Sequence, residues 1–146
     1  MRFFQTPLLL LAAALVLGCD ASVSPPRPAP PEWQTVSAGK AFTFRAPTDL
    51  KPVPVQGKDS FVGNYASPTL EVTFDYGWYS DPMDREGYAS RAVQVDGKSA
   101  RLVTKDDVVA IHFPKITGET KLTMSVRLKG ADPKTAETLL QSIDFP

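Results

Sequence analysis

Cysteine is all but missing from this 146-residue chain: Cys19 is the only one, so no intrachain disulfide can form and the fold must rest on an apolar core. Histidine is as scarce, with His112 alone, which leaves little for a catalytic centre that needs several convergent titratable groups. Neither charge sign predominates, at 16 Lys and Arg against 16 Asp and Glu. The basic residues are scattered singly and form no phosphate-neutralising cluster, which excludes nucleic acid as a partner. Long apolar runs are absent apart from Leu8 to Leu17, which is too short to span a bilayer comfortably. There is no Gly-x-Ser-x-Gly elbow, no calcium-loop spacing and no internal repeat, so no catalytic residue, metal or cofactor is expected.

What the chain does have begins at its N-terminus. Arg2 ahead of the Leu8–Leu17 run makes the basic head and short apolar middle of an export signal. The segment closes as Leu15-Val16-Leu17-Gly18-Cys19, which resembles the lipobox of bacterial lipoproteins. That resemblance implies a signal peptide over residues 1–18, cleavage before Cys19, a diacylglyceryl group on its thiol and acylation of the new N-terminus by a chain such as palmitate. Two or three acyl chains, each of about 14 methylenes at roughly 0.8 kcal/mol, hold a protein on a membrane far more firmly than one myristoyl group. The expected partner of Cys19 is therefore a lipid bilayer. The expected location is the bacterial cell envelope, facing the periplasm or the exterior. Asp20 resembles the residue that favours inner-membrane retention in enteric bacteria. Loss of Arg2 with the signal leaves 15 basic against 16 acidic groups, a net charge near −1.

Residues 19–31 read as a tether. After Asp20 the segment is small and polar and then carries Pro25, Pro26, Pro28, Pro30 and Pro31, a composition that favours extended polyproline II and cannot bury surface. At about 3.1 Å per residue it reaches some 35 to 40 Å. Residues 32–146 then form a single domain, long enough to bury roughly two thirds of the unfolded surface.

Beyond Trp33 the dominant period is two, the signature of strands with one buried face. Phe42 and Phe44 alternate with Thr43 and Arg45, and Phe61, Gly63 and Tyr65 alternate with Val62 and Asn64. Leu70, Val72, Phe74, Tyr76 and Trp78 share the inner face of the longest run, with Glu71, Thr73, Asp75, Gly77 and Tyr79 on the other. Val93 and Val95 lead into Asp96-Gly97, the strongest short hairpin signal, and the chain returns through Ser99 to Val103. Past Asp106-Asp107, Val109, Ile111 and Phe113 point inward. After Thr117-Gly118-Glu119, Leu122, Met124, Val126 and Leu128 do the same. A short helix is expected from Asp81-Pro82 to about Glu86, ended by Gly87. A second is signalled by Asp132 as cap, Pro133 at the first position, and Ala136, Leu139, Leu140 and Ile143 at helical spacing.

The fold class that follows is α+β: an antiparallel β-sheet meander of about seven strands with a C-terminal helix packed on one face, since no strand–helix–strand rhythm calls for a parallel sheet. The order of hairpins, the Val95-Asp96-Gly97-Lys98 turn and the closing Ser142-Ile143-Asp144-Phe145 resemble domains of the Mog1/PsbP-like kind. Asp59-Ser60-Phe61-Val62-Gly63 and Phe74-Asp75-Tyr76-Gly77-Trp78-Tyr79-Ser80 resemble segments of bacterial lipoproteins to which no activity is attached. Neither resemblance implies a catalytic residue.

Three residues are candidates for partner or ligand contact. Asp75 is unusual inside a strand and neighbours Gly77, and its plain explanation is a solvent-facing charge on an edge strand. Tyr79 falls on the same face at the strand end, where an exposed ring can anchor a partner. His112 alternates with Ile111 and Phe113 onto the polar face, as a surface histidine. Asp75, Asp81, Asp84 and Glu86 gather carboxylates near one loop, yet Asp81 is better explained as a helix cap and its neighbours as a solvated turn. The function expected from these features is a membrane-anchored, non-catalytic binding or accessory domain of the envelope, with an envelope protein as its partner. The alternatives are a small-molecule or lipid-binding module and, third, an enzyme of unknown reaction.

Overall fold

The computed structural model describes residues 25–146. The signal segment 1–18, the lipidation site Cys19 and the tether as far as residue 24 lie outside the described residues. Nine strands and one helix follow: β1 (Gln34–Ala38), β2 (Phe42–Ala46), β3 (Lys51–Val53), β4 (Phe61–Ala66), β5 (Leu70–Gly77), β6 (Ala89–Val95), β7 (Lys98–Lys105), β8 (Val108–Thr117), β9 (Thr120–Leu128) and α1 (Pro133–Gln141). β1 and β2 pair as a separate ribbon, and the other seven strands form one antiparallel sheet in the order β3-β4-β5-β9-β8-β7-β6. The antiparallel sheet and its closing helix agree with the sequence reading, but the sheet is not a single meander. One meander runs β3 to β5, the chain then crosses to the far edge at β6, and a second meander returns through β7 and β8 to place β9 beside β5.

Turn chemistry fixes the hairpins. Asp96 and Gly97 both take positive φ, at 49° and 70°, the pattern of a two-residue turn whose twist matches the flanking strands. Asp106 (φ 50°) and Gly118 (φ 55°) serve the next two connections. Between β4 and β5 the Ser67 hydroxyl accepts from the backbone N–H groups of Thr69 and Leu70, at 3.2 and 3.0 Å.

Side chains at period two give the sheet two unlike faces. One carries Val72, Phe74, Met124, Val126, Val109, Ile111, Leu102 and Val93, and against it lie both α1 and the β1–β2 ribbon, which together form the second layer. Those two covering elements are stitched side by side. Thr43 and Asp144 exchange two backbone hydrogen bonds of 2.9 Å, and the Arg45 N–H donates to the Ser142 hydroxyl at 2.8 Å. Phe42 of the ribbon meets Phe74 of the sheet edge-on at 5.1 Å between ring centres, and Phe145 packs edge-on against Phe113 at 5.2 Å. Gly63 makes room for the Phe74 ring, because a Cβ there would lie 2.2 Å from a ring carbon.

α1 forms where the sequence placed it. The Asp132 carboxylate accepts from the Lys134 N–H at 2.7 Å, Pro133 occupies the first turn, and Ala136, Leu139 and Leu140 are buried on the sheet. The end of the proline-rich segment is held as well. The Arg45 guanidinium donates to the carbonyls of Pro30 and Pro31, at 3.3 and 3.2 Å, and also to that of Trp33. Further back, Pro25 and Arg27 lie against α1 around a hollow of about 250 Å³ shared with Lys134, Glu137, Thr138 and Gln141.

Candidate functional site

The second face of the large sheet carries the candidate residues. Pairing register sets Val62, Asp75, Thr123, His112, Arg101 and Ala92 in one row across β4, β5, β9, β8, β7 and β6. Asp75 and His112 therefore share a face and a row, with Thr123 between them. Tyr79 lies past the end of β5, at the start of the connection that crosses to β6.

That connection, residues 78–88, folds over the β9, β8 and β7 part of the row. The Ser80 hydroxyl donates to the Asp75 carbonyl at 2.7 Å, Thr123 Oγ1 donates to the Asp81 carbonyl at 2.6 Å, and the Arg101 guanidinium donates to the Pro82 carbonyl. The Asp81 carboxylate accepts from the Met83 N–H at 2.9 Å and pairs with Arg85, while the Lys105 ammonium sits 4.8 Å above the Tyr88 ring. No helix forms over Asp81 to Glu86, contrary to the sequence expectation. Met83 takes φ 50°, and the carbonyls of Asp81 and Pro82 are drawn down to the strands instead of along a helix axis.

His112 is not a surface residue: alternation puts it on the correct face, but the crossover covers that part of it and leaves the side chain 4% exposed. Its Nδ1 lies 2.8 Å from Thr123 Oγ1. Because the single hydroxyl proton of Thr123 goes to the Asp81 carbonyl, which can only accept, the Nδ1–H of His112 is the donor in this contact. The imidazole therefore cannot act as a base toward Thr123; it holds the hydroxyl toward the Asp81 carbonyl, and that second bond ties the crossover to the sheet. Burial, and after it the cations of Arg101 and Lys121, hold the His112 pKa below the usual imidazole value, against the opposing pull of Asp84 and Asp81.

Asp75 is not on an edge strand either, since β5 is flanked by β4 and β9. Its Oδ1 is buried without a hydrogen-bond partner among the described residues, as is Oδ1 of Asn64, a diagonal neighbour on the same face. Asn64 borders a shallow hollow of about 310 Å³ with Val53, Glu71 and Thr73. Among the described residues no three of His, Cys, Asp and Glu come together as metal ligands.

Trp78 is a further correction. Alternation assigns it to the inner face with Tyr76, but β5 ends at Gly77, whose backbone packs so close to Ser60 that a Cβ would lie 2.8 Å from the Ser60 Cβ. The chain turns there, and period two no longer applies. Trp78 and Tyr79 are left 60% and 74% exposed, their planes 19° apart and ring centres 6.2 Å apart. The sequence reading singled out Tyr79 and missed the neighbour stacked on it. A strand-terminating glycine before two aromatics was the available signal.

No protein-family model matches this chain, and no curated protein matches it. Among the described residues no helix is long and apolar enough to cross a membrane.

Proposed function

We propose that this chain is a membrane-anchored, non-catalytic binding domain of the bacterial cell envelope that presents the Trp78–Tyr79 pair to an envelope protein. The observation that carries the reading is the pair itself: two large rings, stacked and left in water at the head of the crossover. Exposed aromatic anchors of this kind supply most of the energy of protein interfaces once a partner covers them. Their position supports the assignment. The crossover that the pair opens lies on the sheet face opposite α1, whereas Pro25 and Arg27 lie against α1. The hydroxyls of Ser80 in the crossover and of Thr123 beneath it already donate to backbone carbonyls, which favours the non-catalytic reading. A photo-crosslinking residue in place of Tyr79, in intact cells, is expected to trap one recurrent envelope protein. The same residue at position 106, in the β7–β8 turn, is expected to give background only. Equal background from both positions, or a band that persists in Trp78→Ala protein, sinks the proposal.

The second reading, a small-molecule module, draws on the 310 Å³ hollow beside Asn64, whose side-chain oxygen is unpaired among the described residues. Native mass spectrometry of protein taken from its own membrane separates the two. A retained small molecule, lost in Asn64→Leu protein, favours the hollow over the aromatic pair.

A further inference from the structure

The large sheet has two edges, and they are not treated alike. At one edge β3 is three residues long, fully exposed, and carries Lys51 and Pro52, so it is too short and too poor in N–H donors to recruit another strand. At the other edge β6 runs seven residues, Ala89–Val95, in unbroken register with β7. It contains no proline, no glycine and no bulge, and Arg91 is its only charge. Alternate residues of an antiparallel strand aim both backbone polar groups away from the paired neighbour. The outer side of β6 is therefore a row of N–H and C=O groups, and among the described residues no strand pairs with it. Ala89, Ser90, Arg91, Ala92 and Gln94 are exposed, and the small side chains among them let another backbone approach.

We propose that β6 is a strand-addition edge at which a second copy of this chain pairs antiparallel to the first, joining the two seven-stranded sheets across a two-fold axis at Ala92. Ala92 is the middle residue of the strand. The axis sets Ala92 against Ala92, Ser90 against Gln94 and Arg91 against Val93, so no like charges face each other. The two-fold sets the two Arg91 side chains on the diagonal, and each arrives already paired with Glu137 of its own α1 at 2.9 Å, which offsets their like charge. The choice of a second copy, rather than an extended segment of another protein, rests on the anchored reading above. A two-fold perpendicular to the sheet keeps both α1 helices on one side. Pro25 and Arg27 border a hollow with α1 and Arg91, so the first described residues of both copies lie on that same side of the joined sheet, an arrangement that suits two chains held in one bilayer.

The test uses the full chain in its native membrane. Ala92→Cys puts two thiols at the axis, within the separation a disulfide spans. Mild oxidation is expected to give a reducible species of twice the chain mass, at least tenfold more than from Lys51→Cys at the opposite edge or from the unaltered chain with Cys19 alone. Ala92→Lys places two ammonium groups face to face and is expected to convert the detergent-solubilised dimer to a monomer that still unfolds in one cooperative thermal transition. No dimer from Ala92→Cys, a yield no higher than that of Lys51→Cys, crosslinking to a different protein, or an Ala92→Lys protein that stays dimeric each overturns the proposal. If fatty-acid labelling of the chain fails while the Ala92→Cys dimer forms, the anchored reading falls and the strand pairing stands.

Discussion

His112 carries the sharpest consequence at the scale of one residue. In the unfolded chain an imidazole titrates near 6.5, whereas in the folded protein burial, Arg101 and Lys121 lower that value. Between the two values the unfolded chain binds more protons, so stability rises with pH there and is lost as pH falls from about 6.5 toward the folded value. His112→Asn keeps an N–H donor for Thr123 but cannot titrate. Thermal unfolding at pH 7.5 and pH 5 is therefore expected to show a larger acid loss for the natural protein than for the variant. Parallel losses would show that His112 does not carry the linkage. This burial leaves no local signal, because period two reports which face a side chain occupies and not whether a loop covers that face.

Among the elements, α1 and the crossover stand at opposite ends of a scale of commitment to the core. Leu139 is fully buried between α1 and the sheet, and Leu139→Ala is expected to cost about 2 to 5 kcal/mol. Tyr79 stacks on Trp78, which is itself largely exposed, so Tyr79→Ala is expected to change stability by no more than about 0.5 kcal/mol. Denaturant unfolding of the two variants checks the contrast, and a Tyr79→Ala loss comparable to that of Leu139→Ala would mean that the aromatic pair is part of the core. α1 was legible because its cap, first-turn proline and apolar spacing are all local signals. The crossover was misread as a helix because Asp81-Pro82 looks the same locally whether the carbonyls that follow continue along a helix axis or bond to Thr123 and Arg101.

For the whole molecule the decisive experiment concerns the anchor. Cys19→Ala is expected to abolish incorporation of labelled fatty acid and to block cleavage before residue 19, since the thiol is the proposed acyl acceptor. The domain of residues 32–146 is expected to keep its thermal transition, because among the described residues its core and the hydrophobics packed on it run from Trp33 onward. Labelling that survives the substitution, or a transition that shifts with it, would mean that the anchor or the domain boundary has been misplaced.

Period-two alternation and turn residues were enough to locate the main strands, the Asp96-Gly97, Asp106-Asp107 and Thr117–Glu119 turns and the single C-terminal helix, since each follows from local backbone preference and the burial of one face. β1 and β3 escaped that reading: Gln34–Ala38 has little apolar alternation, and Lys51–Val53 is short and fully exposed. Local pattern also carries no record of which strands lie side by side. The jump from β5 to the far edge, the pairing of β9 with β5, the burial of His112, the central place of Asp75 and the open edge of β6 were decided only in the folded chain. Strand order is chosen by which arrangement buries the shared apolar face of α1, the ribbon and both meanders at once, a property of the whole core that no short stretch of sequence contains.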